Sequence, residues 1–101
     1  MTETMDIKIT KTSNSRLAET DFDNLPFGHI FSDHMFVADY ADGEWKNFEI
    51  IPYGDILVGP GISSLHYGQS FFEGLKAYKH NDGTVSVFRP DKNAARFNKS
   101  A

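Results

Sequence analysis

Apolar and polar positions alternate along FSDHMFVADY, residues 31–40. In an extended chain Phe36, Ala38 and Tyr40 fall on one face, and Met35 and Val37 on the other. WKNFEIIPY, residues 45–53, brings Phe48 and Ile50 together on one face, and Pro52 ends that strand or sits on an edge. Between them lies Ala41-Asp42-Gly43-Glu44, in which Asp-Gly accepts the positive φ of a tight reversal. A hairpin over 31–53 follows. Gly54-Asp55 and Gly59-Pro60-Gly61 bracket Ile56–Val58, read as a loop with a little strand in it. The stretch from Gly61 to Tyr78 is the densest in aromatics. Ser63-Ser64 can start one helical turn over Leu65-His66-Tyr67, and 71–79 alternates imperfectly, as a strand covered on both faces would. Asn81-Asp82-Gly83 marks a second reversal, with TVSVF pairing back. Arg89-Pro90 opens a helix, because proline at the first helical position lacks an N–H that would be unpaired there anyway. Ala94, Phe97 and Ala101 form its apolar stripe.

Residues 1–23 are polar, with one alternating piece at Met5–Ile9, and read as a flexible arm carrying an edge strand. Residues 24–101 then read as one α+β domain, an antiparallel sheet with a helix. The last helix reaches Ala101 without a capping residue, so the natural chain is expected to continue.

Composition narrows the chemistry. The chain of 101 residues is 40% hydrophobic and 14% aromatic with nine Phe, so a core built on rings is expected. A net charge of -4 argues against a nucleic-acid partner, which needs a basic face. The absence of cysteine removes disulfides, thiolate metal sites and a thiol nucleophile. No apolar run is long enough for a membrane span and no signal peptide is evident, so a cytoplasmic protein is the default expectation.

The residues themselves stop short of a reaction. His29, His34, His66 and His80 make no metal-type pair, and Ser63, Ser64 and Ser70 lie in no nucleophile elbow. The glycines near residue 60 form neither a Walker loop nor a dinucleotide fingerprint. Glu73, read on a strand, is a candidate general acid or base if buried. Lys92, Arg96 and Lys99 make a basic stripe on the final helix, either a solvated face or one that turns Arg96 into a cleft to bind an anion. Tyr67 and Phe72 are read equally well as core rings.

FGHIFSDHMFVADY, SSLHYGQSFFEGLKAY and VFRPDKNAARFNKSA, in that order and spacing, resemble the N-terminal part of a branched-chain amino acid aminotransferase. That is a class IV enzyme of the D-alanine aminotransferase-like fold, dependent on pyridoxal 5′-phosphate. The resemblance covers about residues 27–101. It implies transamination of leucine, isoleucine and valine with 2-oxoglutarate, in a homodimer acting on small molecules. Position by position, it implies that Arg96 binds the cofactor phosphate and that Phe27, Tyr67 and Phe72 wall the substrate pocket. Ring surface suits a branched apolar side chain. The resemblance also implies that the lysine carrying the cofactor lies in a larger C-terminal domain outside these residues. None of the seven lysines here matches it; Lys76 and Lys79 lie in or after the strand following the motif. The chain is therefore expected to be a truncated small domain, inactive alone. The alternatives are another class IV enzyme (a D-amino acid aminotransferase or aminodeoxychorismate lyase) and a stand-alone non-catalytic module.

Overall fold

A computed structural model describes residues 5–101, and the chain divides after Ile56 into two units. The expected arm, residues 1–23, lies in part outside the described residues, since 1–4 are not among them.

In the first unit, β1 (Lys8–Ile9), β2 (His34–Ala41) and β3 (Glu44–Pro52) form a three-stranded sheet in the order β1-β3-β2. The β2–β3 hairpin is the one expected from its alternation, with Phe36 opposite Ile50 and Tyr40 opposite Trp45. The expected sheet was wholly antiparallel; instead β1 joins β3 in parallel, Lys8 opposite Glu49 and Ile9 opposite Ile50. The Thr10 N–H donates to the Ile50 carbonyl at 2.9 Å, one residue beyond the ladder. A parallel neighbour needs no tight turn, so no turn signal announces it. Pro52 is the last residue of β3, and the Tyr53 N–H just beyond it still donates to the Asp33 carbonyl at 2.9 Å.

Asp42 and Gly43 both take positive φ, 56° and 80°, the pair of left-handed residues that matches the twist of a two-residue reversal. Gly43→Ala is expected to cost on the order of 1 kcal/mol, because a Cβ in left-handed backbone meets the neighbouring carbonyl. Lowered urea midpoints in the whole protein would register it, and Asp42→Gly is expected to leave the midpoint level or raise it. A bulge interrupts the ladder between Val37 and Asp39. There Asn47 sits at φ 57° and its side-chain amide donates to Asp39 Oδ2 at 3.0 Å. Asparagine tolerates this conformation through such short local bonds.

The segment before β2 is tied back by polar contacts. Ser15 Oγ donates to Asp33 Oδ2 at 2.5 Å and the Arg16 N–H to Asp33 Oδ1 at 2.9 Å. The Arg16 guanidinium donates to the Ser32 carbonyl at 2.6 Å and lies over the Tyr53 ring. The Ser15 hydroxyl, then the Arg16 N–H, hold the Asp33 carboxyl below its usual range.

In the second unit, α1 (Ser63–His66) is the single turn expected from Ser63-Ser64. The short strands β4 (Ala77–Lys79) and β5 (Val85–Val87) pair antiparallel around the Asn81-Asp82-Gly83 reversal, with Gly83 at φ 89°. α2 (Pro90–Ser100) starts with Pro90, as expected. Two expectations fail after β3. Ile56–Val58 forms no strand, and of 71–79 only Ala77–Lys79 pairs, with most of that stretch exposed rather than covered on both faces. Alternation sets which way side chains point, but a strand needs a ladder partner, and residues 71–76 have none among the described residues.

The ring-built core is also corrected. No described side chain is buried, and rings meet instead in surface pairs. Phe31 stacks on Tyr53 at 4.7 Å between centroids, Tyr40 meets Trp45 edge-on at 5.2 Å, and Phe71 tilts against Phe97 at 4.5 Å. Sheets of three and of two strands are single layers, and burial requires a second layer against each.

Candidate functional site

α2 fixes the polar centre of the second unit. Arg89, just before it, is left-handed at φ 46°, and Pro90 with its preset φ then launches the helix. Asp91 in the first turn and Lys99 in the last both complement the helix dipole. Asn93, Arg96 and Phe97 stand at i, i+3 and i+4, hence on one face. That face meets residues 71–74: Phe97 packs on Phe71, and the Asn93 amide donates to the Gly74 carbonyl at 3.0 Å.

Glu73 is the focus of this contact. Its Oε1 accepts from Asn93 Nδ2 at 3.0 Å and from Arg96 Nη2, and its Oε2 accepts from Arg96 Nε at 2.7 Å. The carboxylate grips one edge of the guanidinium with two parallel bonds, the strongest form of this pairing. The Glu73 side chain is 11% exposed and that of Arg96 68%. Arg96, then Asn93, hold the Glu73 carboxyl down to about 2, and Glu73 in turn raises the Arg96 guanidinium. Glu73 therefore stays ionised through the neutral range. It is not on a strand, and it is not poised as a general acid there, since a carboxyl held this low carries no proton to give.

The lowered value has a stability consequence with a definite sign. The folded state favours the charged carboxylate, so its contribution is complete above the ordinary carboxyl range near 4.5. It fades as pH falls from there toward about 2. A carbon-detected NMR titration of the Glu73 carboxyl in the whole protein is expected to give a midpoint near 2, and in Arg96→Ala a midpoint returned toward 4.5.

Tyr67 ends α1, its N–H donating to the Ser63 carbonyl at 2.9 Å, and Gly68 follows at φ 62°. His66 Nε2 lies 2.8 Å from the Pro60 carbonyl and anchors the turn to the preceding loop. Tyr67 is 80% exposed and Phe72, next to Glu73 in the chain, 88%, so the reading of these rings as core residues fails. Phe27 belongs to the first unit, in a turn closed by the His29 N–H to the Pro26 carbonyl with Gly28 at φ 78°, and it is fully exposed. Of the expected site residues, the segment-and-helix contact brings Arg96 to Glu73, while Phe72 is beside Glu73 only in the chain. What sequence reasoning missed is Asn93 and the pairing of Glu73 with Arg96. The available signal was an Asn and an Arg three apart on one helix face, with a lone carboxylate about twenty residues before them.

Among the described residues no group of three or more metal-ligating side chains is placed to hold an ion, and no helix is long and apolar enough to cross a membrane.

The chain is similar to aminotransferases over most of its length. These relatives are branched-chain-amino-acid aminotransferases. A probable one from Staphylococcus aureus (strain MRSA252) is 45% identical over 101 residues, covering 99% of this chain and 27% of that protein. A probable one from Staphylococcus epidermidis (strain ATCC 35984) is 52% identical over 81 residues, 79% of this chain and 22% of that protein. The enzyme of Mycolicibacterium smegmatis is 45% identical over 93 residues, 91% of this chain and 25% of its own length. The chain thus spans about a quarter of the length of the curated relatives it matches. The similarity also reaches further toward the N-terminus than the motifs that first carry the resemblance. No family model matches the chain.

The donor set fits one part of pyridoxal 5′-phosphate. Arg96 uses Nε and Nη2 on Glu73, and among the described residues nothing hydrogen-bonds to Nη1. The guanidinium therefore keeps an open, solvent-facing edge with paired N–H donors, the geometry that receives two phosphate oxygens.

Proposed function

We propose that these residues form the small-domain part of a pyridoxal 5′-phosphate-dependent aminotransferase. Its reaction moves the amino group of leucine, isoleucine or valine to 2-oxoglutarate, leaving a branched 2-oxo acid and glutamate. The observation that carries this reading is the 45% identity to a branched-chain-amino-acid aminotransferase along 99% of the chain. The bound cofactor withdraws electrons from the amino acid's α-carbon, which loosens the α-proton and permits the transfer. In this reading Arg96 binds the cofactor phosphate, and Phe27, Tyr67 and Phe72 wall the pocket for the branched side chain. The exposure of these three rings supports the assignment, because a ring committed to packing inside its own unit has no face left for a substrate. One methylene is worth only about 1–3 kcal/mol of discrimination, so such a wall accepts all three amino acids. The fold is the class IV, D-alanine aminotransferase-like one, the cofactor-bearing lysine lies in the remainder of the whole protein, and that protein is a cytoplasmic homodimer.

The test is a substrate panel on the whole protein with pyridoxal 5′-phosphate, leucine, isoleucine, valine, D-alanine and 4-amino-4-deoxychorismate. Glutamate formation from 2-oxoglutarate with the three branched substrates is expected. Turnover of D-alanine or of aminodeoxychorismate instead would move the protein to another class IV activity, and a folded protein that binds no cofactor would remove the reading altogether.

A further inference from the structure

Arg96 cannot be both a free anion receptor and an arginine already engaged by a carboxylate unless the two tasks use different edges of its guanidinium. The contacts divide it in that way. Glu73 takes Nε and Nη2, while the edge running from Nη1 to the outer N–H of Nη2 has no acceptor among the described residues. Glu73 is itself pinned. Asn93 donates to the Oε1 that Arg96 also uses, and the same Asn93 amide reaches the Gly74 carbonyl, so segment and helix are tied at three points.

We propose that Glu73, pinned by Asn93, is the positioning residue for Arg96: it grips one edge of the guanidinium so that the opposite edge is held out to receive a phosphate. This rests on the assignment of Arg96 to the cofactor phosphate and adds how that arginine is held. An arginine free in solvent surrenders its rotamer freedom on meeting a ligand, and that loss is subtracted from affinity. Here the loss is taken on folding. The opposing effect is repulsion between the Glu73 carboxylate and the incoming phosphate. It acts across the width of the guanidinium, beside an arginine 68% exposed to screening water, whereas the grip acts at contact. The contact effect is the larger.

A rival role is that Glu73 is a placeholder, occupying Arg96 until phosphate displaces it. The two roles give opposite signs. The experiment measures, on the whole apo-protein, the ratio of dissociation constants for pyridoxal and pyridoxal 5′-phosphate, which isolates the phosphate's contribution and cancels general damage to the site. Glu73→Gln keeps the shape but weakens the charge-assisted grip, and is expected to reduce the preference for the phosphorylated form about tenfold. Glu73→Asp keeps the charge at shorter reach and is expected to recover part of the loss. Asn93→Ala is expected to shift the ratio in the same direction by less, and carries the test if Glu73→Gln fails to fold. An unchanged or increased preference in Glu73→Gln, or in Asn93→Ala should that variant stand in for it, overturns the positioning role. If Arg96→Ala meanwhile abolishes the preference, the phosphate assignment stands and only the positioning fails. A preference intact in Arg96→Ala overturns the assignment on which both rest.

Discussion

Arg96→Ala in the whole protein is expected to weaken pyridoxal 5′-phosphate binding by about a hundredfold or more. Two charge-assisted hydrogen bonds from one guanidinium edge contribute about 1.5–3 kcal/mol each, and each ~1.4 kcal/mol is a factor of ten in affinity. Pyridoxal, which lacks the phosphate, should bind the variant and the parent alike. Arg96→Lys is expected to fall between them, since a lysine keeps the charge but has no planar fork for two oxygens or for the Glu73 carboxylate. Spectroscopic titration of the apo-protein reads all three. Turnover at saturating cofactor should suffer far less than turnover at limiting cofactor, which separates a phosphate contact from a role in the chemistry. The same substitution leaves Glu73, 11% exposed, without its strongest partner, so a drop in melting temperature is expected alongside.

The second large effect concerns the 101 residues by themselves. They are expected to show no sharp thermal transition, a near-linear change of far-ultraviolet circular dichroism on heating, and strong binding of an apolar dye at room temperature. The reason is that none of the described side chains is buried, while Phe27, Leu57, Tyr67, Phe72 and Phe88 all stand open to solvent. Rings and aliphatic chains this open contribute little to folding, because cooperative unfolding needs apolar surface that folding has removed from water. The β2–β3 hairpin retains local pairs such as Tyr40 with Trp45, but cross-strand pairs of this kind contribute only about 0.2–1 kcal/mol each. Chain entropy of roughly 1–2 kcal/mol per ordered residue outweighs them. A steep, reversible calorimetric peak from the isolated chain would contradict this and favour a self-sufficient module.

The elements legible in the sequence are those whose cause is local. Asp42-Gly43 and Asn81-Asp82-Gly83 carry their own reversal geometry, and each sits where a hairpin turns. Pro90 marks the start of α2 because the first helical N–H has no partner to lose. The pieces that misread depend on distant residues. The parallel seat of Lys8–Ile9 beside Glu49–Ile50 joins segments about forty residues apart, with nothing between them to signal it. Residues 71–76 have the alternation of a strand and no ladder partner among those described. The site divides in the same way. Arg96 stood out as one cation in a stripe of three, but periodicity treats Lys92, Arg96 and Lys99 alike. Only the placement of Glu73 separates Arg96 from the other two. Motif resemblance implies a role for Arg96 that periodicity does not, and geometry adds Glu73 and Asn93 beside it.

β4 and β5 form a ribbon of two strands, three residues each, and among the described residues neither outer edge is paired. Both margins therefore present rows of N–H and C=O groups that a further strand can join, whether it comes from the same molecule or from a neighbour. Each strand is only three residues long, and Lys79 adds a charge at the end of β4, two features that discourage pairing with an unintended partner.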